Sequence, residues 1–367
     1  METRRRVSAT GARQSHPTSL FSQGHHSFPY PSSFIMHFSY LSIPFFLIAS
    51  TAFYFLIIAG GAHQVVPDCL LLVHAGKIRS FYTSLKPLDE VLGALVAFFS
   101  TSLSIPQGPP LISTFSSVYA VAILFMNLES LRPTNPSILR GSATPLVVGL
   151  LAQLFGAGIF LPLYFGVWFV IRSGSGIKGR ERASKNEGEE QAREVKALLP
   201  ALGLAFWPLV TFTINRGGII SKDAAEIATA LWQLFPIWTF ILHRLFIALP
   251  AGPDTRATST KQSEWSGFRA VFGLTTLIYW IDLFSLFLHS PSFLSAIWSI
   301  FNFPLFNPTR GAESVHVFLL WDFFACLAGT GFWVVLKGEL EWREVGKMVA
   351  VGVGCGPAAG LVWGAMV

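Results

Sequence analysis

PLISTFSSVYAVAILFMNL, residues 110 to 128, runs for nineteen residues without a formal charge. A helix needs about 20 mostly apolar residues to cross the hydrocarbon core of a bilayer, where the backbone has no water to bond and must satisfy itself. The stretch therefore predicts a membrane-spanning helix, and comparable runs lie near 42–62, 88–105, 145–171, 197–214, 226–248, 267–289, 314–336 and 346–366. Asp89 and Glu90 open the second of the nine, and Pro357 with several glycines interrupts the last. Across the 367 residues, 52% are hydrophobic and 13% charged, with a mean hydropathy of +0.53. A soluble domain carries roughly 25% charge. The expected fold is all-α, a polytopic transmembrane bundle of about nine helices, with seven the lower bound.

Residues 1–33 are rich in Ser, His, Pro and Gly and read as a disordered cytosolic tail. Its histidines, His16, His25 and His26, belong to that tail and not to a metal site. Spans one to four fall within 34–171, a charged loop occupies 172–196, and spans five to nine fall within 197–367. Lys and Arg are retained on the cytosolic side of membrane proteins. With the amino terminus cytosolic, 18 of the 26 basic residues fall on that side and eight on the other, including Arg132 and Arg140. The net charge of +6 thus reads as topology, with no nucleic-acid partner implied. Nine crossings put the carboxyl terminus outside the cytosol, and the endoplasmic reticulum is the expected membrane.

Several chemistries are disfavoured. Cys69, Cys326 and Cys355 are scattered, with no CxxC pair. No glycine-rich phosphate cradle and no H-E-x-x-H occurs. Metal-held diphosphate would need Asp-rich motifs, and the chain offers only Asp223-x-x-Glu226. No metal and no cofactor are expected. Gly352, Gly356, Gly360 and Gly364 recur every four residues, the small-residue spacing that lets membrane helices approach closely.

The informative residues are ionisable groups within or beside the spans, because a charge at mid-membrane costs about 2.5–3.5 kcal/mol even on the lenient insertion scale. Glu129 closes span three, Asp282 lies in span seven and Asp322 in span eight. These three are the candidate catalytic groups. Glu90, Asp223, His289 and His316 are the supporting polar groups for substrate, with Trp280 and Trp321 beside the two aspartates. All fall towards one membrane face of the nine-span arrangement, which suggests a pocket mouth. Bland accounts stand beside each. Asp89, Glu90, Asp223, Glu226 and Glu313 sit near helix starts, where carboxylates cap free N–H groups. Glu129 could simply pair with Arg132, and the aspartates could bond a neighbouring helix. His243 and Arg244, at a helix end, are expected to snorkel.

Aromatic residues make up 14% of the chain, enough to line a pocket for carbocation chemistry, since ring faces stabilise a cation. Three segments carry a resemblance: FLPLYFGVWF at 160–169, LFPIWTFILHR at 234–244 and VFLLWDFF at 317–324. Across roughly residues 110–340 the chain resembles the small fungal integral-membrane terpene cyclases of meroterpenoid and indole-diterpene pathways. It is closest in character to those acting on farnesylated aromatic substrates in ascofuranone, ascochlorin and macrophorin biosynthesis. The resemblance implies protonation of a terminal epoxide or alkene by a membrane-embedded acid, then ring closure and proton loss. It implies that role for Glu129, Asp282 or Asp322, acting on a hydrophobic prenylated small molecule drawn from membrane lipid. The chain is longer than the seven-helix members. Two other functions are open on the residues: a transporter of small amphipathic metabolites, with Pro162, Pro208, Pro236, Arg216 and Gln233 shaping a gated path, or a scaffold in which no intramembrane acid matters.

Overall fold

The computed structural model describes residues 40–59, 62–133, 135–174, 185–215, 220–249, 260–288, 292, 295 and 311–367. The tail at 1–33 and His289 lie outside them. Among the described residues thirteen α-helices follow one another: α1 (Ile43–Phe53, extended by a π-helical turn Tyr54–Ala59), α2 (Ala62–His74), α3 (Lys86–Ser102), α4 (Gly108–Ser130), α5 (Ala143–Phe155), α6 (Ala157–Gly174), α7 (Lys185–Ile214), α8 (Lys222–Gln233), α9 (Phe235–Ala248), α10 (Thr260–Leu288), α11 (Ala312–Gly338), α12 (Trp342–Cys355) and α13 (Pro357–Met366). The charged loop is shorter than expected, because α7 begins at Lys185 within it.

Where they are described, all nine apolar runs are helical, but by length and composition only four helices, α4, α7, α10 and α11, are fit to span, or five if the α8–α9 pair, bent by 70°, is one span. α4 is the axis, almost wholly buried along its length. α11 lies parallel to it: Phe125 packs on Trp333 with ring centroids 5.4 Å apart, and Glu129 pairs with Lys337. The nine-span reading placed Glu129 and Lys337 on opposite faces. Their contact requires an odd number of crossings between α4 and α11, so one of the four apolar runs between them must turn back.

That run is 145–171. The chain leaves α4 with the Gly141 N–H bonded to the Ser130 carbonyl, so α5 starts at the Ser130 end. Halfway down, the Tyr119 hydroxyl donates to the Gly149 carbonyl at 3.2 Å. The chain reverses at Gly156, whose φ of +110° lies where a Cβ is disfavoured. α6 then climbs beside α11, with Gly158 against Ala325, Pro162 against Gly329 and Phe165 on Trp333. Residues 143–174 are thus a hairpin that enters and leaves at the Ser130 end.

The last run behaves alike. Gly356, at φ +99°, turns the chain, and Pro357 lacks the N–H that a continuous helix would need. Gly360 packs back on Gly352, and Gly364 reaches Met348 and Val334. The four glycines therefore do not share one face of one helix: Gly352 and Gly360 oppose each other across the hairpin and Gly356 forms its tip. α3 also departs from the nine-span reading, since its Ser100 and Thr101 share a cleft with Lys77 and Lys222, which that reading put on the other face.

The carboxyl terminus accordingly lies at the Ser130 end. So does the start of α1, where Phe45 packs on Phe169 and Phe332 with centroids 5.4 and 5.3 Å apart. Both ends of the helical region share one face, where nine crossings would have separated them. Arg132, Arg140, Arg172, Arg244 and Lys337 lie at that end too, which moves two arginines from the sparse side to the basic one.

Gly356→Ala is expected to destabilise the protein by about 1–3 kcal/mol. The new Cβ would sit 2.8 Å from the Tyr279 Cγ at a φ that side chains avoid. Thermal unfolding in detergent checks it: Gly354→Ala, whose Cβ would meet open space, should leave the midpoint near wild type.

Candidate active site

The three candidate carboxyls meet α4 at different heights. Asp282 on α10 faces Ser113, Asp322 on α11 lies beside Tyr119, and Glu129 belongs to α4 itself. Ser113 and Glu129 are sixteen residues apart, about 24 Å along a helix. The cleft beside Asp282 is lined by neither Asp322 nor Glu129.

Glu129 is buried and holds Arg132 at 2.8 Å and the Lys337 ammonium through the same Oε1. The Lys337 ammonium also lies over the Trp333 ring, 4.5 Å from its centroid. Around the pair stand Phe125, Phe165, Trp168 and Trp333, with Tyr164 within electrostatic reach of the carboxylate. Glu129 Oε2, the Tyr164 hydroxyl and the indole N–H groups of Trp168 and Trp333 are buried without a hydrogen-bond partner among the described residues. Both cations lie against one of its oxygens, so this carboxylate is the centre of a buried charge cluster. Reading the sequence found Glu129 and Arg132; it missed Lys337, which only the parallel packing of α11 brings there. Tyr164 and Trp168 lie within the quoted 160–169 segment but drew no notice as site residues.

Asp322 is fully enclosed and serves the backbone. Its Oδ1 accepts from the Gly158 N–H at 2.6 Å and its Oδ2 from the Ala157 N–H at 3.2 Å. These are the first turns of α6, whose N–H groups have no helical partner and point into the membrane interior. A carboxylate there also suits the helix dipole. Trp321 next to it stacks on Phe55 with ring centroids 4.0 Å apart.

Asp282 differs from both. It bonds the Ser113 hydroxyl, and no cation pairs with it among the described residues. Oδ2 is buried without a hydrogen-bond partner among the described residues. It borders a cleft of about 10 Å³ lined by Thr114, Ser117, Thr275, Tyr279 and the hairpin tip Gly356–Ala358, room for roughly one water. The outer side of α10 is open: Leu277, Trp280, Ile281, Phe284 and Phe287 are exposed. Trp280 therefore faces outward, beside the seam and not within it.

The supporting groups sort differently from expectation. Glu90 and Asp223 are exposed, whereas their neighbours Asp89 and Glu226 turn inward. Asp89 accepts from the Tyr82 and Thr83 N–H groups at 3.1 and 2.6 Å. Glu226 accepts from the Arg79 N–H at 3.0 Å and lies 3.7 Å from the Lys222 ammonium. Burial, with Glu226 next, raises the pKa of the Tyr82 hydroxyl, which stays a neutral donor. His316 is fully buried on α11. His243 is buried as well, its Nε2 3.0 Å from the Glu194 carbonyl oxygen, so it does not snorkel as expected. Arg244 beside it does reach outward, donating to the Ser142 hydroxyl at 2.9 Å. Arg216 lies outside the described residues.

Comparison with known proteins agrees with the resemblance and widens it. Residues 39–364 match the family model described as CtvD domain. The chain is 26% identical over 319 residues to "Terpene cyclase atmA" of Aspergillus flavus, covering 80% of this chain and 84% of that protein. No solved structure matches the chain.

Proposed function

The chain belongs to the CtvD domain family, and from that premise we propose that it is a membrane-bound terpene cyclase of fungal secondary metabolism. Its substrate is a prenylated aromatic compound whose chain ends in an epoxide or alkene. The likeness to a terpene cyclase along four fifths of the chain carries this reading.

The geometry favours a division of labour among the acids. Asp282, with no cation beside it and one carboxyl oxygen buried without a hydrogen-bond partner among the described residues, is the candidate acid. It gives its proton to the epoxide oxygen; the C–O bond opens, and the neighbouring alkene's π electrons close the ring on the resulting cation. The final cation loses a proton to a base, so the overall change is an isomerisation with no co-reactant. The exposed apolar face of α10 offers a lipid-dissolved substrate a lateral approach to the seam. The aromatic-rich packing of the core supplies ring faces of the kind that steady a positive charge. Asp322 holds α6 in place, and Glu129 holds the charge cluster at the Ser130 end. That end carries most of the basic residues described, which supports a cytosolic amino terminus in the endoplasmic reticulum.

Transport draws on one observation, the two glycine-tipped broken helices, a device of transporters. Both hairpins, however, enter from the same end. Their tips are filled, Gly156 by Asp322 and Leu56 and Gly356 by Tyr279, which favours catalysis.

The test is to supply microsomes containing the protein with an epoxyfarnesyl phenol. A cyclised isomer of unchanged mass is expected, absent from microsomes without the protein. Unchanged substrate recovered from several such phenols, with folded protein present, would overturn the reading.

A further inference from the structure

One roomy cleft is used by none of this chemistry. It lies at the Gly108 end, holds about 430 Å³ and is lined by Leu72, Lys77, Ile78, Ser100, Thr101, Leu103, Ser104 and Lys222. Its volume is within the roughly 300–1,000 Å³ of small-molecule sites. Its lining combines two lysines, three hydroxyl-bearing residues and the apolar Leu72, Ile78 and Leu103.

The two lysines are not equivalent. Lys222 is tied down, its ammonium donating to the Lys77 carbonyl at 3.1 Å and standing 3.7 Å from Glu226. It shapes the cleft, and part of its charge is answered by that carboxylate. The Lys77 ammonium makes no ion pair among the described residues, and the hairpin of α2 and α3 holds its backbone over the cleft. Gly93 of α3 lets that hairpin close: a Cβ there would meet the Val73 side chain at 3.2 Å. Of the hydroxyls, Ser104 donates to the Thr101 carbonyl at 2.6 Å, so its oxygen presents lone pairs, while Ser100 and Thr101 can donate. Net positive charge, hydroxyl donors and apolar lining residues at a membrane-facing rim suit one kind of ligand.

We propose that this cleft binds the phosphate of an anionic amphiphile, its acyl chain lying along Leu72, Ile78 and Leu103 and its phosphate between Lys77, Lys222 and the α3 hydroxyls. The phosphate could be that of a membrane lipid or a free ion. The site is separate from the Asp282 seam, and the proposal stands whether or not the chain cyclises terpenes.

The test uses the full chain in neutral detergent, with phosphatidic acid, phosphatidylcholine or inorganic phosphate as probes and the thermal midpoint and native mass spectrometry as readouts. Phosphatidic acid should raise the midpoint at concentrations where phosphatidylcholine does not. Lys77→Gln, at an exposed side chain, should fold normally and weaken phosphatidic acid binding about five-fold, as expected for one basic residue near an anionic surface. Thr101→Val should weaken it less. Displacement of the lipid by millimolar inorganic phosphate would support a site for the phosphate group itself, and retention of the lipid would support one for the whole amphiphile. The proposal is overturned if the two lipids act alike, or if Lys77→Gln binds phosphatidic acid as wild type does.

Discussion

Asp282→Asn is expected to slow formation of cyclised product by about 10²- to 10⁴-fold, the span over which a positioned acid contributes, while protein level and thermal midpoint stay near wild type. The two outcomes separate for a structural reason. Asparagine keeps the shape of the side chain and an oxygen towards Ser113, and no cation is left unpaired beside it among the described residues. What disappears is the acidic proton. Initial rates in microsomes, normalised to immunoblot signal, measure the first quantity, and unfolding in detergent measures the second. Turnover at the wild-type rate would remove Asp282 from the mechanism and leave the cyclase assignment to be carried by another group.

Asp322→Ala is expected to fail earlier, at assembly. The substitution strips the Ala157 and Gly158 N–H groups of their acceptors at the tip of a hairpin inside the membrane. Each unsatisfied backbone group there costs several kcal/mol, comparable to the whole stability of a typical domain when two are lost. Little monodisperse protein should survive solubilisation. Asp322→Asn retains one carbonyl oxygen and should recover part of the yield. Size-exclusion profiles of the tagged protein decide the matter: an alanine variant that is abundant, well folded and inactive would show that Asp322 acts in the reaction and not as a cap.

The opposite expectations for two aspartates, each read from its sequence as an acid within a span, show what spacing cannot supply. Their surroundings come from helices distant in sequence. Asp322 meets α6 at Ala157 and Gly158, 165 and 164 residues away, and Asp282 meets Ser113 and the tip at Gly356. Glu129 is instructive in the other direction. Arg132, three residues on, was visible as a partner; Lys337, 208 residues on, was not. Among the surface acids, Asp89 and Glu226 are separated from Glu90 and Asp223 by rotation about a helix axis. A step of one residue turns a side chain by about 100°, and which side faces inward is settled by the neighbouring helix.

Composition and the lengths of the apolar runs, taken alone, determined the class: an all-α chain with helices long and apolar enough to cross a membrane, because a backbone in hydrocarbon has no other partner for its hydrogen bonds than itself. Hydropathy reports where a segment prefers to lie but says nothing about its direction. Whether 143–174 and 342–366 cross the membrane or turn back at Gly156 and Gly356 was decided by packing. A glycine in the left-handed region permits a reversal without demanding one. The reversal is held by tertiary contacts, the Asp322 carboxyl at one tip and the Tyr279 ring at the other.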